Sequence, residues 1–225
     1  MRLRVLTWNV FHGRALPPRD EDLLHDFADR LAGWQWDVAL LQEVPPWWPR
    51  ELARACAAQH ARALTSRNAL LPLRRAVARC RPELLKANGG GCNAILVRGR
   101  AIAERRSERV RTWPERRVVH AVSARDEDGP IWLANVHAST GRGARTHADL
   151  ARARTLALRW AGDAPLVLGG DFNVEQPSLP GFARASVAGR IDHVYARGLT
   201  PAAPPELLHR GTLSDHAPVR VTLAR

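Results

Sequence analysis

Four short apolar runs in this chain each stop at a polar residue of a type that catalysis uses. LRVLTWN ends at Asn9, WDVALLQE at Glu43, IWLANVH at His137 and PLVLGGD at Asp171. Each run has strand length, is rich in Leu or β-branched residues, and is bounded by turn or helix signals. In open α/β sheets, sites form beyond the carboxyl ends of strands. One such ending is ordinary. Four in 225 residues constrain the chain to an α/β fold that gathers these ends.

Between the runs, periodicity predicts helices. Asp20–Trp34 opens with acidic residues and places Leu23, Leu24, Phe27 and Leu31 at helical spacing. Residues 50–64 and 144–160 also read as helices. Further strands are predicted at 92–97, 118–124, 191–196 and 218–223. Residues 67–91 and 198–213 read as loops, from their Gly and Pro content. No repeat, linker or boundary is visible, so residues 1–225 are expected to form one domain.

The formal net charge is +12, and Lys86 is the single lysine among 34 basic residues. Such an arginine bias fits a GC-rich coding preference, yet the charge attracts polyanions whatever its origin. The cysteines, Cys56, Cys80 and Cys92, are odd in number and lack C-x-x-C spacing. They argue against a disulfide framework or a zinc site. No run approaches the ~18 apolar residues of a membrane span. A cytoplasmic monomer without a signal peptide is expected.

The stretch GGDFN carries the most chemistry. Residues two apart in an extended chain share a face, so Asp171 and Asn173 point one way and Phe172 the other. Gly169 and Gly170 admit close neighbours. A carboxylate beside an amide can orient a water molecule and take its proton. In TLSDHAPV, Asp215 is a hard oxygen donor suited to Mg²⁺, and His216 can donate to a phosphoryl oxygen. A regular strand would make the two diverge, so a bent approach is required. In RIDHVYARG, Asp192 faces away from Ile191 and His193 and can hold the charge of a histidine such as His216. Glu43 ends a buried run, where an unpaired carboxylate is costly and a cation removes the cost. Asn9 can hold a neighbouring ligand or water. His137 can donate to charge that develops on phosphate.

Taken in order, Thr-Trp-Asn, Gln-Glu, Asn-Val-His, Gly-Asp-Phe-Asn, Ile-Asp-His and Ser-Asp-His resemble the endonuclease/exonuclease/phosphatase superfamily, from Asn9 to His216. The resemblance implies a four-layer α/β/β/α sandwich, with two facing mixed β-sheets flanked by helices. It implies Mg²⁺-dependent phosphate ester hydrolysis, with Mn²⁺ as a substitute. Glu43 would ligate the metal, with Asn9 and Asp215 at or near it. Asp171 would activate water beside Asn173. His216, supported by Asp192, would polarise the scissile phosphate, and His137 would assist in the transition state. Asn173, His137 and His216 would thus also bind substrate.

His12, His25, His60, His120, His147, His193 and His209 match no motif and read as surface or satisfied residues. His12 is the first exception to consider, since it follows Asn9 closely. Arg116 and Arg117 read as a solvated strand edge, and Trp47 and Trp48 as core or rim. Asn93 carries little site signal. Abasic-site members of the superfamily carry Tyr where this chain has His137, and Tyr195 is the sole tyrosine. Nucleic acid is the expected substrate, contacted by arginines at 67, 74, 75, 79, 81, 142, 145, 152 and 154. A small phosphate ester or lipid headgroup is the alternative.

Overall fold

The structure, a computed structural model, describes residues 1–65, 68–81, 91–126, 128–141 and 143–225. Among these residues, two mixed sheets face each other. The first contains β1 (Arg2–Asn9), β2 (Val38–Val44), β3 (Ala58–Leu64), β4 (Cys92–Arg98), β11 (Thr200–Pro201), β12 (Glu206–Leu207) and β13 (Val219–Ala224). Its order is β11-β13-β1-β2-β4-β3, with β12 also on β13. The second contains β5 (Ile102–Arg111), β6 (Arg117–Asp126), β7 (Gly129–His137), β8 (Leu166–Asp171), β9 (Ala183–Arg184) and β10 (Asp192–Arg197), in the order β5-β6-β7-β8-β10-β9.

Three apolar clusters stack through the molecule. Helices α1 (Leu24–Gly33) and α2 (Trp48–Ala55) cover the first sheet with Phe27, Leu31 and Leu52 against Leu6, Trp8, Leu41 and Leu96. The sheets meet through Leu3, Val5, Leu40, Ile95, Leu133, Val167 and Val194. Helix α4 (Ala144–Ala161) covers the second sheet with Leu150, Ala153 and Leu156 against Val136, Leu168 and Phe172. The result is the α/β/β/α sandwich that the motifs imply.

The topology brings the polar strand ends to one edge. β1 and β2 are parallel with Asn9 opposite Gln42, and β7 and β8 are parallel with His137 opposite Asp171. β10 runs antiparallel to β8 and starts with Asp192 opposite Asp171. β13 runs antiparallel to β1, so the preceding Ser214–His216 turn lies at the same edge. Parallel strands finish there and antiparallel strands begin there.

Four segments depart from the sequence reading, one of them the loop predicted at 198–213, which contributes β11 and β12 to the first sheet. The helix predicted over 50–64 ends at Ala55. Ala57 turns at φ +50°, and Ala58–Leu64 then pairs along β4. Ladder bonds to β4 outweigh the helix propensity of an alanine-rich segment. Within the loop predicted at 67–91, Leu71–Cys80 forms a helix, α3, while 66–67 and 82–90 lie outside the described residues. β5 is a strand that the pattern misses, because most of it is exposed and charged.

Candidate active site

Period-two alternation decides which way the strand ends face. Along β1, Leu3 and Val5 point between the sheets, so Asn9 does too. Along β7, Ile131 and Leu133 point inward, carrying Asn135 and His137 with them. Val167 sets the same direction for Gly169 and Asp171, and Val194 for Asp192. Phe172 takes the opposite face and sits under α4. The double glycine follows from this closeness. A Cβ on Gly169 would meet Leu40 Cδ1 of the facing sheet at 2.8 Å. One on Gly170, whose φ is +140°, would lie 1.9 Å from the Val136 carbonyl oxygen.

Glu43 breaks the alternation. Regular pleating would turn it toward the helices with Ala39 and Leu41. A register shift between Leu41 and Val44, with φ +53° at Glu43, turns the strand instead. Its Oε1 lies 3.8 Å from His137 Nδ1 on the opposite sheet. Phe11, His12, Asn173 and Ser214 also adopt positive φ. Such backbone is costly for side-chain-bearing residues and gathers where a site over-determines it.

Asp171 Oδ2 is the hub. Asn9 Nδ2 donates to it at 3.0 Å, His137 Nε2 lies 3.5 Å away and His216 Nε2 3.9 Å away. Its Oδ1 accepts from the Asn173 backbone N–H at 3.0 Å. The Asn173 amide donates to the Ala138 carbonyl at 3.0 Å. His216 Nδ1 lies 2.8 Å from Asp192 Oδ2. The bent approach to His216 is built by Ser214, whose hydroxyl donates to the Asn9 carbonyl at 2.6 Å and accepts from the His216 N–H at 3.0 Å. Trp8 Nε1 donates to the His216 carbonyl at 3.0 Å.

Charge follows from this packing. Burial, and then the charge of Asp192, raise the Asp171 carboxyl well above the usual carboxylate range. Burial pulls the His216 imidazole down, but the hydrogen bond and charge of Asp192, with Asp171 and Asp215, push it up to about 9. Burial, assisted by Arg117, His12 and His216, holds His137 well below the ordinary histidine range, so it is neutral.

The eight residues singled out in the sequence therefore converge on one edge, with different surroundings. Asp171, Asp192 and His216 form a group whose ligand atoms lie within 4.8 Å of one another. Its short Asp192–His216 contact marks it as a charge pair. Glu43 and Asp215 are better suited to a hard cation, because their carboxylates are 21% and 40% exposed and leave room for water ligands. The Asn9 oxygen accepts from the Phe11 N–H at 3.0 Å and keeps a second lone pair. Each of the three thus offers an oxygen donor of a kind that a divalent cation takes.

Sequence reasoning keeps His12 only as the first exception to consider, and passes over Gln42 and Asn135. His12 Nε2 lies 3.1 Å from Glu43 Oε2. Gln42 Nε2 donates to Asn135 Oδ1 at 2.9 Å, and Asn135 Nδ2 donates to the carbonyls of Leu41 and Ala94 on the opposite sheet, both at 2.9 Å. Their signal was available: a polar residue inside an otherwise apolar run. Arg117 is buried and paired with Glu115 at 2.7 Å, rather than solvated on an edge. Arg152 and Arg154 tie α4 to the carbonyls of Arg109 and Pro180. Arg67, Arg142 and the side chain of Arg79 lie outside the described residues.

No described helix is long and apolar enough to cross a membrane. Comparison with curated proteins finds no match. Among solved structures, an endonuclease/exonuclease/phosphatase from Beutenbergia cavernae superposes with a TM-score of 0.76 at 20% identity, covering 99% of this chain and 71% of that one. A humanized D. rerio TDP2 gives 0.73 at 17% identity, over 100% and 99% of the two chains. A Bacteroides thetaiotaomicron mannosyl-6-phosphatase gives 0.70 at 16% identity, over 99% and 100%. The family model described as Endonuclease/Exonuclease/phosphatase family matches residues 6–216. The chain belongs to this family, whose members are phosphoesterases and generally metal-dependent.

Proposed function

We propose that this protein is a Mg²⁺-dependent nuclease, a single-domain monomer that hydrolyses phosphodiesters of DNA or RNA. The observation that carries the chemistry is the Asp192–His216 pair set against the buried Asp171. An acid raised in pKa and a base held a few ångströms apart are the two halves of proton transfer. Asp171 Oδ2 takes the proton of the attacking water, with Asn9 and Asn173 fixing the carboxylate. His216, charged and held by Asp192, donates a hydrogen bond from Nε2 to a non-bridging phosphate oxygen, while the P–O bond opposite the incoming water breaks and the leaving oxygen takes a proton from solvent. Neutral His137 adds a further donor as negative charge builds. A divalent cation held by Glu43, with Asn9 and Asp215 beside it, would supply further charge stabilisation on the phosphoryl oxygens. The net charge of +12 supports a polyanionic substrate.

A second reading, a small-ester phosphatase, draws support from the similarity to the mannosyl-6-phosphatase over the full length of that chain. The deciding experiment is cleavage of supercoiled plasmid and of labelled single-stranded RNA, with Mg²⁺ or EDTA, beside D171A. Metal-dependent cleavage lost in D171A supports the nuclease reading. Hydrolysis of a generic phosphodiester without cleavage of either polymer refutes it in favour of the small ester.

A further inference from the structure

His12 lies in the turn that follows β1. The Val10 N–H donates to the Gln42 carbonyl at 3.0 Å, the Phe11 N–H to Asn9 Oδ1 at 3.0 Å and the Gly13 N–H to the Val10 carbonyl at 2.8 Å. These bonds fold the turn against β2 and carry His12 Nε2 to 3.1 Å from Glu43 Oε2. Both partners hold left-handed backbone, His12 at φ +54° and Glu43 at φ +53°. Such backbone persists where its surroundings over-determine it, and here a turn and a bulge converge on one contact.

The two oxygens of Glu43 are therefore unequal. Oε2 faces His12, while Oε1 faces His137 Nδ1 at 3.8 Å, outside hydrogen-bond range. The His12 and Glu43 side chains are 22% and 21% exposed, so the contact opens to solvent. Mg²⁺ demands near-octahedral geometry and takes few carboxylates, whereas Ca²⁺ accepts a carboxylate through one oxygen or both. Groups that hydrogen-bond a ligating carboxylate tune metal affinity. We infer that His12 is a positioning residue for the cation: its Nε2–H occupies Glu43 Oε2, so that Glu43 presents Oε1 alone and the site is biased toward Mg²⁺ over Ca²⁺. This inference rests on the metal reading of the proposed function.

The test is calorimetric titration of the full chain with MgCl₂ and, separately, with CaCl₂. H12N keeps a residue that tolerates left-handed backbone but is too short to reach Glu43. It should raise the Mg²⁺ Kd about tenfold. The Ca²⁺ Kd should stay within about twofold, because Ca²⁺ can take both freed oxygens. H12Q, whose amide reaches about as far as Nε2, should restore the Mg²⁺ value. In an E43Q background, H12N should have no further effect. H12A carries the test if H12N does not fold. Equal losses for the two cations, no loss for either, or an undiminished effect in E43Q overturns the role of His12 and leaves the metal reading intact. A wild type that binds neither cation and hydrolyses its substrate in EDTA refutes the metal reading, and the role of His12 with it.

Discussion

The His216 and Asp192 side chains sit 2.8 Å apart, although Asp192 lies in the second sheet and His216 in the turn that leads into the first. Asp192 opens β10 of the second sheet, and His216 leads into β13 of the first. The pair sets the charge of the acid and links the two sheets at that edge.

The first prediction concerns pH. Asp171 acts as a base only above its raised pKa, and His216 as an acid only below about 9. Activity should be bell-shaped, with both limbs belonging to the coupled groups. In D192N, His216 loses the partner that raises it, and Asp171 loses the like charge that raises it. Both limbs should move to lower pH, the alkaline one by about one unit or more. A pH–rate profile of D192N that overlays the wild type would remove Asp192 from this role.

Removing the base should be severe without unfolding the chain. D171A is expected to lower kcat by about 10²–10⁴-fold. Single-turnover kinetics beside a circular-dichroism melt checks this, and full turnover in a folded D171A would sink the mechanism.

E43Q keeps the shape of the side chain and removes its charge. The Mg²⁺ concentration giving half-maximal activity should rise about tenfold or more. Metal titration of activity reads it directly, and an unchanged midpoint removes Glu43 from the ligand set.

Asn135 is predicted to be a stability residue behind the site. N135A leaves the Leu41 and Ala94 carbonyls and a Gln42 N–H without their partner. Denaturant unfolding should show a loss of about 2–4 kcal/mol. A loss below about 0.5 kcal/mol would show that the buried amides contribute little across the seam.

G170A tests the double glycine. A Cβ placed 1.9 Å from the Val136 carbonyl oxygen forces β7 and β8 apart. Poor soluble yield or a loss above about 3 kcal/mol is expected, and a wild-type melt would contradict it.

Much of the inner face was legible because strands impose period two on whatever sequence they carry. Val5, Leu133, Val167 and Val194 fix the direction for Asn9, His137, Asp171 and Asp192. Glu43 and His12 were not legible in this way, since left-handed backbone at both positions overrides alternation. β5 escaped because its mostly exposed, charged side chains carry no apolar alternation, while its ladder to β6 is made by backbone groups. β3 was hidden by alanines, which fit a helix as well as a strand until Ala57 turns. Gln42 and Asn135 were visible as polar residues in apolar runs, but their cross-sheet bonding depends on a register that local pattern does not carry.

The Asn9–Asp171 bond joins residues 162 positions apart in the chain. Ser214, which steers His216, is anchored to the carbonyl of Asn9 from 205 positions away. No contiguous fragment shorter than that span can assemble the catalytic edge. A chain still emerging from the ribosome, or one clipped between the sheets, holds the reactive groups only as scattered, harmless side chains. The catalytic edge is complete only where the first and last strands of the first sheet have paired.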